Sequence, residues 1–195
     1  MFSGGAATYT VVFDAGSTGN RVHVFKFTES AKGPQLQNEV FHAMKPGFRD
    51  VAADAQQAAD LLDPLLVTAL NTVPPDQRKS TKLTLRATAG LRLLPEGPDA
   101  AQAIMDAVKV KLQATEFKVP DEYITVLDGS DEGAYGWIAV NYLLGKMGRV
   151  AEETAAVVDL GRGLQSSTFR LIVSTFEGYA VCFHGVSVTK RLRLS

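Results

Sequence analysis

A mixed α/β fold, a sheet with helices packed on it, is the class this sequence predicts, and three observations carry the prediction. Short runs rich in β-branched and aromatic residues recur from Tyr9 to Phe183, and apolar residues at three- and four-residue spacing separate several of them. Their order is three strands, helix, strand, helix, strand, helix, then three strands. A chain of 195 residues with 46% apolar content can also bury a sizeable core, so one compact unit is expected.

Tyr9 to Phe13 reads as a strand that runs into a turn at Asp14, Gly16, Ser17, Thr18, Gly19 and Asn20. Arg21 to Phe27 returns as a second strand, and Gln35 to Met44 supplies a third after the turn at Gly33-Pro34. Asp50 is the expected N-cap of a helix in which Leu61, Leu62, Leu65, Leu66, Ala69 and Leu70 share a face. Pro64 is expected to kink or split it, and Pro74-Pro75 to stop it. Lys82 to Ala87 reads as a strand. Asp99 to about Lys118 follows as a helix with Ile104, Val108 and Leu112 inward. Tyr123 to Leu127 is another short strand, and Ser130 to about Met147 a helix offering Ala134, Trp137, Ile138, Val140 and Leu144 to the core. Ala155 to Val158, Ser167 to Val173 and Tyr179 to Phe183 close the chain as strands. No linker or low-complexity segment interrupts the pattern.

Charge narrows the partners. Twenty basic and 21 acidic residues give a net charge of -1, which supplies no field to recruit nucleic acid or an anionic membrane. Cys182 is the single cysteine, so no disulfide closes within the chain and no thiolate cluster binds zinc. Met1 to Thr8 lacks the basic and apolar regions of a signal peptide, and no stretch reaches the roughly 18 apolar residues of a membrane span. No targeting segment is therefore expected in the chain as written.

The most informative pattern is an internal echo. V-V-F-D-A-G-S-T-G (Val11 to Gly19) and A-V-V-D-L-G-R-G (Ala156 to Gly163) each bring an apolar strand to an aspartate, a glycine two places on, and a further glycine. An aspartate at a strand end can hold a divalent cation directly or through water. Glycines let successive backbone N–H groups close on a phosphate. Two such loops face to face would clamp a polyphosphate and its metal. The alternative is two ordinary hairpin turns, because D-x-G alone is a weak signal. Neither a P-loop nor a dinucleotide fingerprint is present.

Asp128-Gly129-Ser130-Asp131-Glu132-Gly133 spans a strand-to-helix junction. Asp131 or Glu132 in the first helical turn complements the helix dipole, or takes a proton from a water attacking phosphorus. Arg86-Ala87-Thr88-Ala89-Gly90-Leu91-Arg92 follows a strand. Thr88 can hold the water or a phosphate oxygen there, and the arginines read as surface ion-pair partners. His23, His42 and His184 lack metal-ligand spacing and read as structural.

Together these segments resemble the apyrase, or ecto-nucleoside triphosphate diphosphohydrolase, family. D-A-G-S-T-G-N-R-V-H-V-F (Asp14 to Phe25) is similar to its first signature, and R-A-T-A-G-L-R-L-L (Arg86 to Leu94) to its second. V-L-D-G-S-D-E-G-A-Y-G-W-I-A-V-N (Val126 to Asn141) is similar to the third, and A-V-V-D-L-G (Ala156 to Gly161) to the start of the fourth. The resemblance implies the fold type of actin, the heat-shock chaperone ATPases and the sugar kinases, related to ribonuclease H. Residues 8–185 would form the N-terminal phosphate-binding lobe, the second lobe being absent.

It also implies the chemistry: removal of the terminal phosphate of nucleoside tri- and diphosphates with Ca2+ or Mg2+. Glu132 matches the catalytic base and Thr88 a residue beside the attacking water. Ser17, Thr18, Gly19 and Asn20 match one phosphate loop, and Gly161, Gly163 and Gln165 the other. Asp14 and Asp159 match carboxylates that hold the metal through its waters. A lumenal or extracellular setting is the family's usual one.

Two departures stand out. Asn20 replaces the usual serine, and Arg162 replaces a glycine in a loop, residues 159–165, that is one residue short. An arginine there can pair with phosphate or block the close backbone approach that glycine permits, and impairment is the reading taken. The alternative function is accordingly a catalytically impaired lobe that binds phosphate, or another chain at its open cleft face. A sugar-kinase-like transferase is disfavoured by the carboxylate at the water-activating position.

Overall fold

The computed structural model describes residues 7–16, 19–31, 33–88, 91, 94–127, 129–150, 153–162, 169–174 and 180–183. They belong to two compact units, Met1–Val126 and Leu127–Ser195, where composition suggested one.

The first unit is built on a five-stranded sheet in the order β3-β2-β1-β4-β5. Its strands are β1 (Ala7–Ala15), β2 (Asn20–Thr28), β3 (Gln35–Met44), β4 (Lys82–Ala87) and β5 (Ile124–Val126). β1, β2 and β3 form an antiparallel meander, and β4 and β5 add in parallel to β1. Alternation settles which face is covered. Val11, Phe13 and Ala15 of β1, Val22 and Val24 of β2, and Leu83, Leu85 and Ala87 of β4 are all buried. Each large apolar side chain so buried contributes about 1.5 to 3 kcal/mol.

Helices α1 (Ala55–Asp60), α2 (Asp63–Thr72), α3 (Pro75–Arg78) and α4 (Pro98–Gln113) belong to the same unit. Leu62, Leu65, Leu66 and Ala69 of the α1–α2 region, and Ile104, Val108 and Leu112 of α4, join the sheet's apolar face in one core. Pro64 splits the predicted helix: it falls in the first turn of α2, where its missing N–H costs no hydrogen bond. The N-cap is Asp54, whose carboxylate accepts from the Gln57 N–H at 3.0 Å. Asp50, expected in that role, sits in a 3-10 turn (Phe48–Val51) and accepts from the Gly47 N–H at 3.2 Å instead. The guanidinium of Arg78 donates to the carbonyls of Leu70 (2.7 Å) and Val73 (3.2 Å), which closes the end of α2. His42 reaches Thr68 at 2.8 Å and ties β3 to α2, a structural role as expected.

The second unit contains helix α5 (Gly129–Leu143) and a three-stranded antiparallel sheet of β6 (Val157–Arg162), β7 (Phe169–Ser174) and β8 (Ala180–Phe183). The helix packs on all three strands. Its inward positions differ in part from those expected: of the five, Trp137 and Val140 are half-buried. Gly133 and Asn141 are buried, while Ala134 is exposed, as are Ile138 and Leu144, the latter just past the helix end. The polar Asn141 displaces the apolar register because its amide serves the backbone of the segment before β6. Its Nδ2 donates to the carbonyls of Trp137 and Ala155, both at 3.0 Å, and its Oδ1 accepts from the Ala155 N–H at 2.8 Å.

That clip explains a second difference. The strand was expected over Ala155 to Val158 but runs from Val157 to Arg162. Both backbone groups of Ala155 are occupied by Asn141, so ladder pairing starts later. Among the described residues, no helix is long and apolar enough to cross a membrane.

Candidate functional site

The two ends of β1 and β4 that carry the first two signature segments lie side by side. In the parallel register Asp14 is opposite Arg86 and Ala15 opposite Ala87. Just beyond, the Thr88 N–H donates to the Ala15 carbonyl at 3.1 Å, so the ladder continues into the Thr88 turn. Both segments leave the carboxyl ends of parallel strands, where open α/β sheets bind ligands.

Asp14 is the penultimate residue of β1, and alternation turns it away from the buried face that holds Phe13 and Ala15. Its partner across the antiparallel ladder is Arg21, and Arg21 Nη1 lies 2.8 Å from Asp14 Oδ2. Both side chains are partly exposed, 37% for Asp14 and 41% for Arg21.

Gly16 and Gly19, the described residues of the β1–β2 connection, are tightly constrained. The Gly16 N–H donates to the Gly19 carbonyl at 2.9 Å. A β-carbon on Gly16 would stand 2.9 Å from that carbonyl oxygen, and one on Gly19 would stand 2.9 Å from the Met44 carbonyl oxygen. Both glycines are therefore required by close backbone approach, at the end of β1 and against the end of β3.

Asn20, read from sequence as a phosphate-loop residue, has its side chain fully buried. Nδ2 donates to the Pro46 carbonyl at 3.3 Å, while Oδ1 is buried without a hydrogen-bond partner among the described residues. It faces the same side as Val22 and Val24, opposite to Asp14, so its side chain braces the hairpin from within.

Arg86 forms a clip between strands: its guanidinium donates to Thr125 Oγ1 at 2.5 Å and to the Glu122 carbonyl at 3.4 Å. Thr88 is half-buried, and its carbonyl accepts from the Leu91 N–H at 3.1 Å in a turn. His23 accepts or donates at Glu39 (2.6 Å) and lies against the rings of Phe41 and Phe25, as a structural histidine would.

In the second unit Glu132 is the fourth residue of α5, in its first turn, as the junction predicted. Asp159 is the third residue of β6, opposite Ile172, and pairing continues with Gly161 opposite Arg170 and Arg162 opposite Phe169. Gly161 is thus inside a strand, whereas Gly16 already lies in its turn: β6 pairs with β7 for three residues past the aspartate, β1 with β2 for one. The echo survives at the level of topology, since each D-x-G stands near the end of the first strand of an antiparallel meander. Ser17, Thr18, Gly163, Gln165 and His184 lie outside the described residues.

Asn141 is the last residue of the third signature-like segment, Val126 to Asn141. Its fully buried amide links the helix that carries Glu132 to the segment that leads into Asp159. No pattern in the sequence marks it: only the structure shows that this asparagine, nine residues after Glu132, is buried.

Comparisons with known proteins bear on both units. The profile of the GDA1/CD39 (nucleoside phosphatase) family matches residues 3–180. An apyrase of Solanum tuberosum is 48% identical over 159 residues, 80% of this chain and 34% of that protein. A guanosine-diphosphatase of Candida albicans is 44% identical over 164 residues, 83% of this chain and 27% of its own. The ectonucleoside triphosphate diphosphohydrolase 5 of Bos taurus is 39% identical over 194 residues, 94% and 44% respectively. The chain thus spans less than half the length of each of these relatives. Among solved structures, a nucleoside triphosphate hydrolase from Neospora caninum superposes with a TM-score of 0.55 at 19% identity, over 86% of this chain and 38% of that one. The fold is the actin-like one the signatures implied, a mixed sheet with flanking helices.

Proposed function

The chain belongs to the GDA1/CD39 (nucleoside phosphatase) family, and on that footing we propose that it carries the phosphate-handling part of a divalent-cation-dependent hydrolase. Its substrates in this reading are nucleoside tri- and diphosphates, from which the terminal phosphate is removed by water. Its relatives named apyrase and guanosine-diphosphatase support the substrate class. The β1–β2 hairpin supplies the observation that carries the reading. Two glycines allow no side chain at its tip, and a partly exposed carboxylate stands at its base.

The donor set fits a cation held through water. Asp14 is exposed enough to reach a hydrated ion, and no group of three His, Cys, Asp or Glu side chains among the described residues could enclose a bare one. Asp14 and Asp159 are the residues proposed to hold it. When bound, Ca2+ or Mg2+ neutralises phosphate charge. Ser17, Thr18, Gly19, Gly161, Gly163 and Gln165 are the proposed phosphate contacts. Glu132 would accept the proton of the attacking water, and Thr88 would hold that water in line. Phosphoryl transfer to water needs positioning and charge neutralisation more than covalent help, which is what such a site offers.

Residues 8–185 are proposed as the phosphate-gripping part, the base and ribose being served by regions of the longer relatives that this chain does not span. A lumenal or extracellular setting is inferred from the ectonucleoside relatives.

The test is phosphate release from ATP and ADP with Ca2+ or Mg2+, comparing this chain with Glu132→Gln and Arg162→Gly. Loss of the general base is expected to lower turnover about 10²- to 10⁴-fold. Restoring the glycine is expected to raise it. Release that does not depend on Glu132 would refute the assignment of the base.

A further inference from the structure

Asp14 lies between two arginines in the sheet register, Arg21 on β2 and Arg86 on β4. Arg86 is committed elsewhere, to Thr125 Oγ1 and the Glu122 carbonyl. Arg21 has two neighbours of interest. Its Nη1 is 2.8 Å from Asp14 Oδ2, and the same nitrogen lies 3.7 Å from where a β-carbon on Gly16 would stand. The guanidinium therefore sits between the carboxylate and the glycine turn of the hairpin.

We propose that Arg21 is an exchangeable counter-ion, which neutralises Asp14 in the empty chain, yields it to a divalent cation, and turns its guanidinium to the phosphate in the loop. The inference rests on the reading of Asp14 as a cation-holding residue. A pair exposed to this degree is weakly held, so exchange is cheap. The direction follows from charge. A guanidinium beside the carboxylate competes for it and repels an incoming dication, while a phosphate beside Gly16 would gain a planar, multidentate donor. Removing Arg21 should then push the two binding reactions in opposite directions, which a merely structural role would not do.

The full 195-residue chain is titrated with Mn2+ alone, followed by electron paramagnetic resonance, and, at saturating Mg2+, with ADP whose phosphates are joined by a methylene group so that it is not hydrolysed, followed by calorimetry. A single positive charge about 5 Å from the ion, in water with salt screening, changes its affinity about fivefold. Arg21→Gln is expected to bind Mn2+ about fivefold more tightly and this ADP analogue several-fold more weakly. Arg21→Lys, which keeps the charge, is expected to hold Mn2+ close to the wild-type affinity. Unchanged or weaker Mn2+ binding by Arg21→Gln overturns the proposal, as does unchanged binding of the ADP analogue.

Asp14→Asn separates the two ideas. If it binds Mn2+ as well as the wild type, the cation-holding role of Asp14 has failed rather than the exchange. Should Arg21→Gln not fold, the Arg21 side-chain N–H signals of the wild-type chain are followed as Ca2+ is added. Faster solvent exchange supports release from Asp14, and no change overturns it.

Discussion

Asn141→Ala is expected to loosen the second unit without touching the first. The substitution removes two donor contacts and one acceptor contact, at 3.0, 3.0 and 2.8 Å. Trp137 contributes a helix carbonyl, which keeps its place in the helical ladder, so little is lost there. The cost falls on Ala155, whose N–H and carbonyl are both left unpaired at a half-buried position. At about 1 kcal/mol for each such group, and a further contribution from the space vacated by a fully buried side chain, the expected loss is about 2 to 3 kcal/mol. Asn141→Asp keeps an acceptor for the Ala155 N–H but places a charge in the same buried site, so it should cost at least as much.

The assay is urea unfolding followed by fluorescence of Trp137, the single tryptophan, which lies one turn before Asn141 on α5. Far-UV circular dichroism run alongside includes both units. A midpoint shift in fluorescence worth less than about 0.5 kcal/mol would place Asn141 among ordinary surface positions and refute the clip.

Gly19→Ala should destabilise the first unit by about 1 to 3 kcal/mol, since the new β-carbon meets a backbone oxygen at 2.9 Å that cannot rotate away. Thermal unfolding measures it, and a neutral result would mean that the hairpin tip shifts freely. Lys111→Met removes the ammonium that bridges Asp60 (2.8 Å) and Asp63, joining α4 to α1 and α2. Hydrogen bonds from Lys111 and then Gln56 hold the Asp60 carboxyl below its usual range. Burial pulls the Lys111 ammonium down, but bonds to Asp60 and Asp63 outweigh this and raise it. The Asp60 contribution is therefore present above the ordinary value of 3.8 and lost as pH falls through its lower folded value. The Lys111 contribution is present below 10.5 and lost as pH rises through its higher folded value. Stability measured against pH should become flatter in both windows in Lys111→Met, and parallel curves would exclude the linkage.

Much of the fold was legible because its signals are local. The apolar alternation of β1, β2 and β4 fixes which side of the sheet is buried, and β3 and β4 run over the residues that composition indicated, Gln35–Met44 and Lys82–Ala87. Ile104, Val108 and Leu112, four residues apart, gave the inner face of α4. The signatures gave the family, because each joins a strand end to a turn of fixed chemistry. What sequence did not give depends on which of several available partners each group finds. Asp54 caps α1 in place of Asp50 because the Gly47 N–H, three residues back, claims the Asp50 carboxylate. β6 begins at Val157 because Asn141, 14 residues before Ala155, takes that residue's backbone groups.

The same division holds at the candidate site. Asp14, Thr88, Glu132 and Asp159 were candidates from sequence alone, and their places near strand ends or in a first helical turn were visible in short windows. Only tertiary structure decided that Asn20 faces the core while Asp14 faces out, that Thr88 is bonded to the end of β1, and that Arg21 rather than Arg86 holds Asp14. Those facts are set by ladder register and by which neighbour each side chain finds, and a residue's partner across a sheet is not written in its own neighbourhood of the chain.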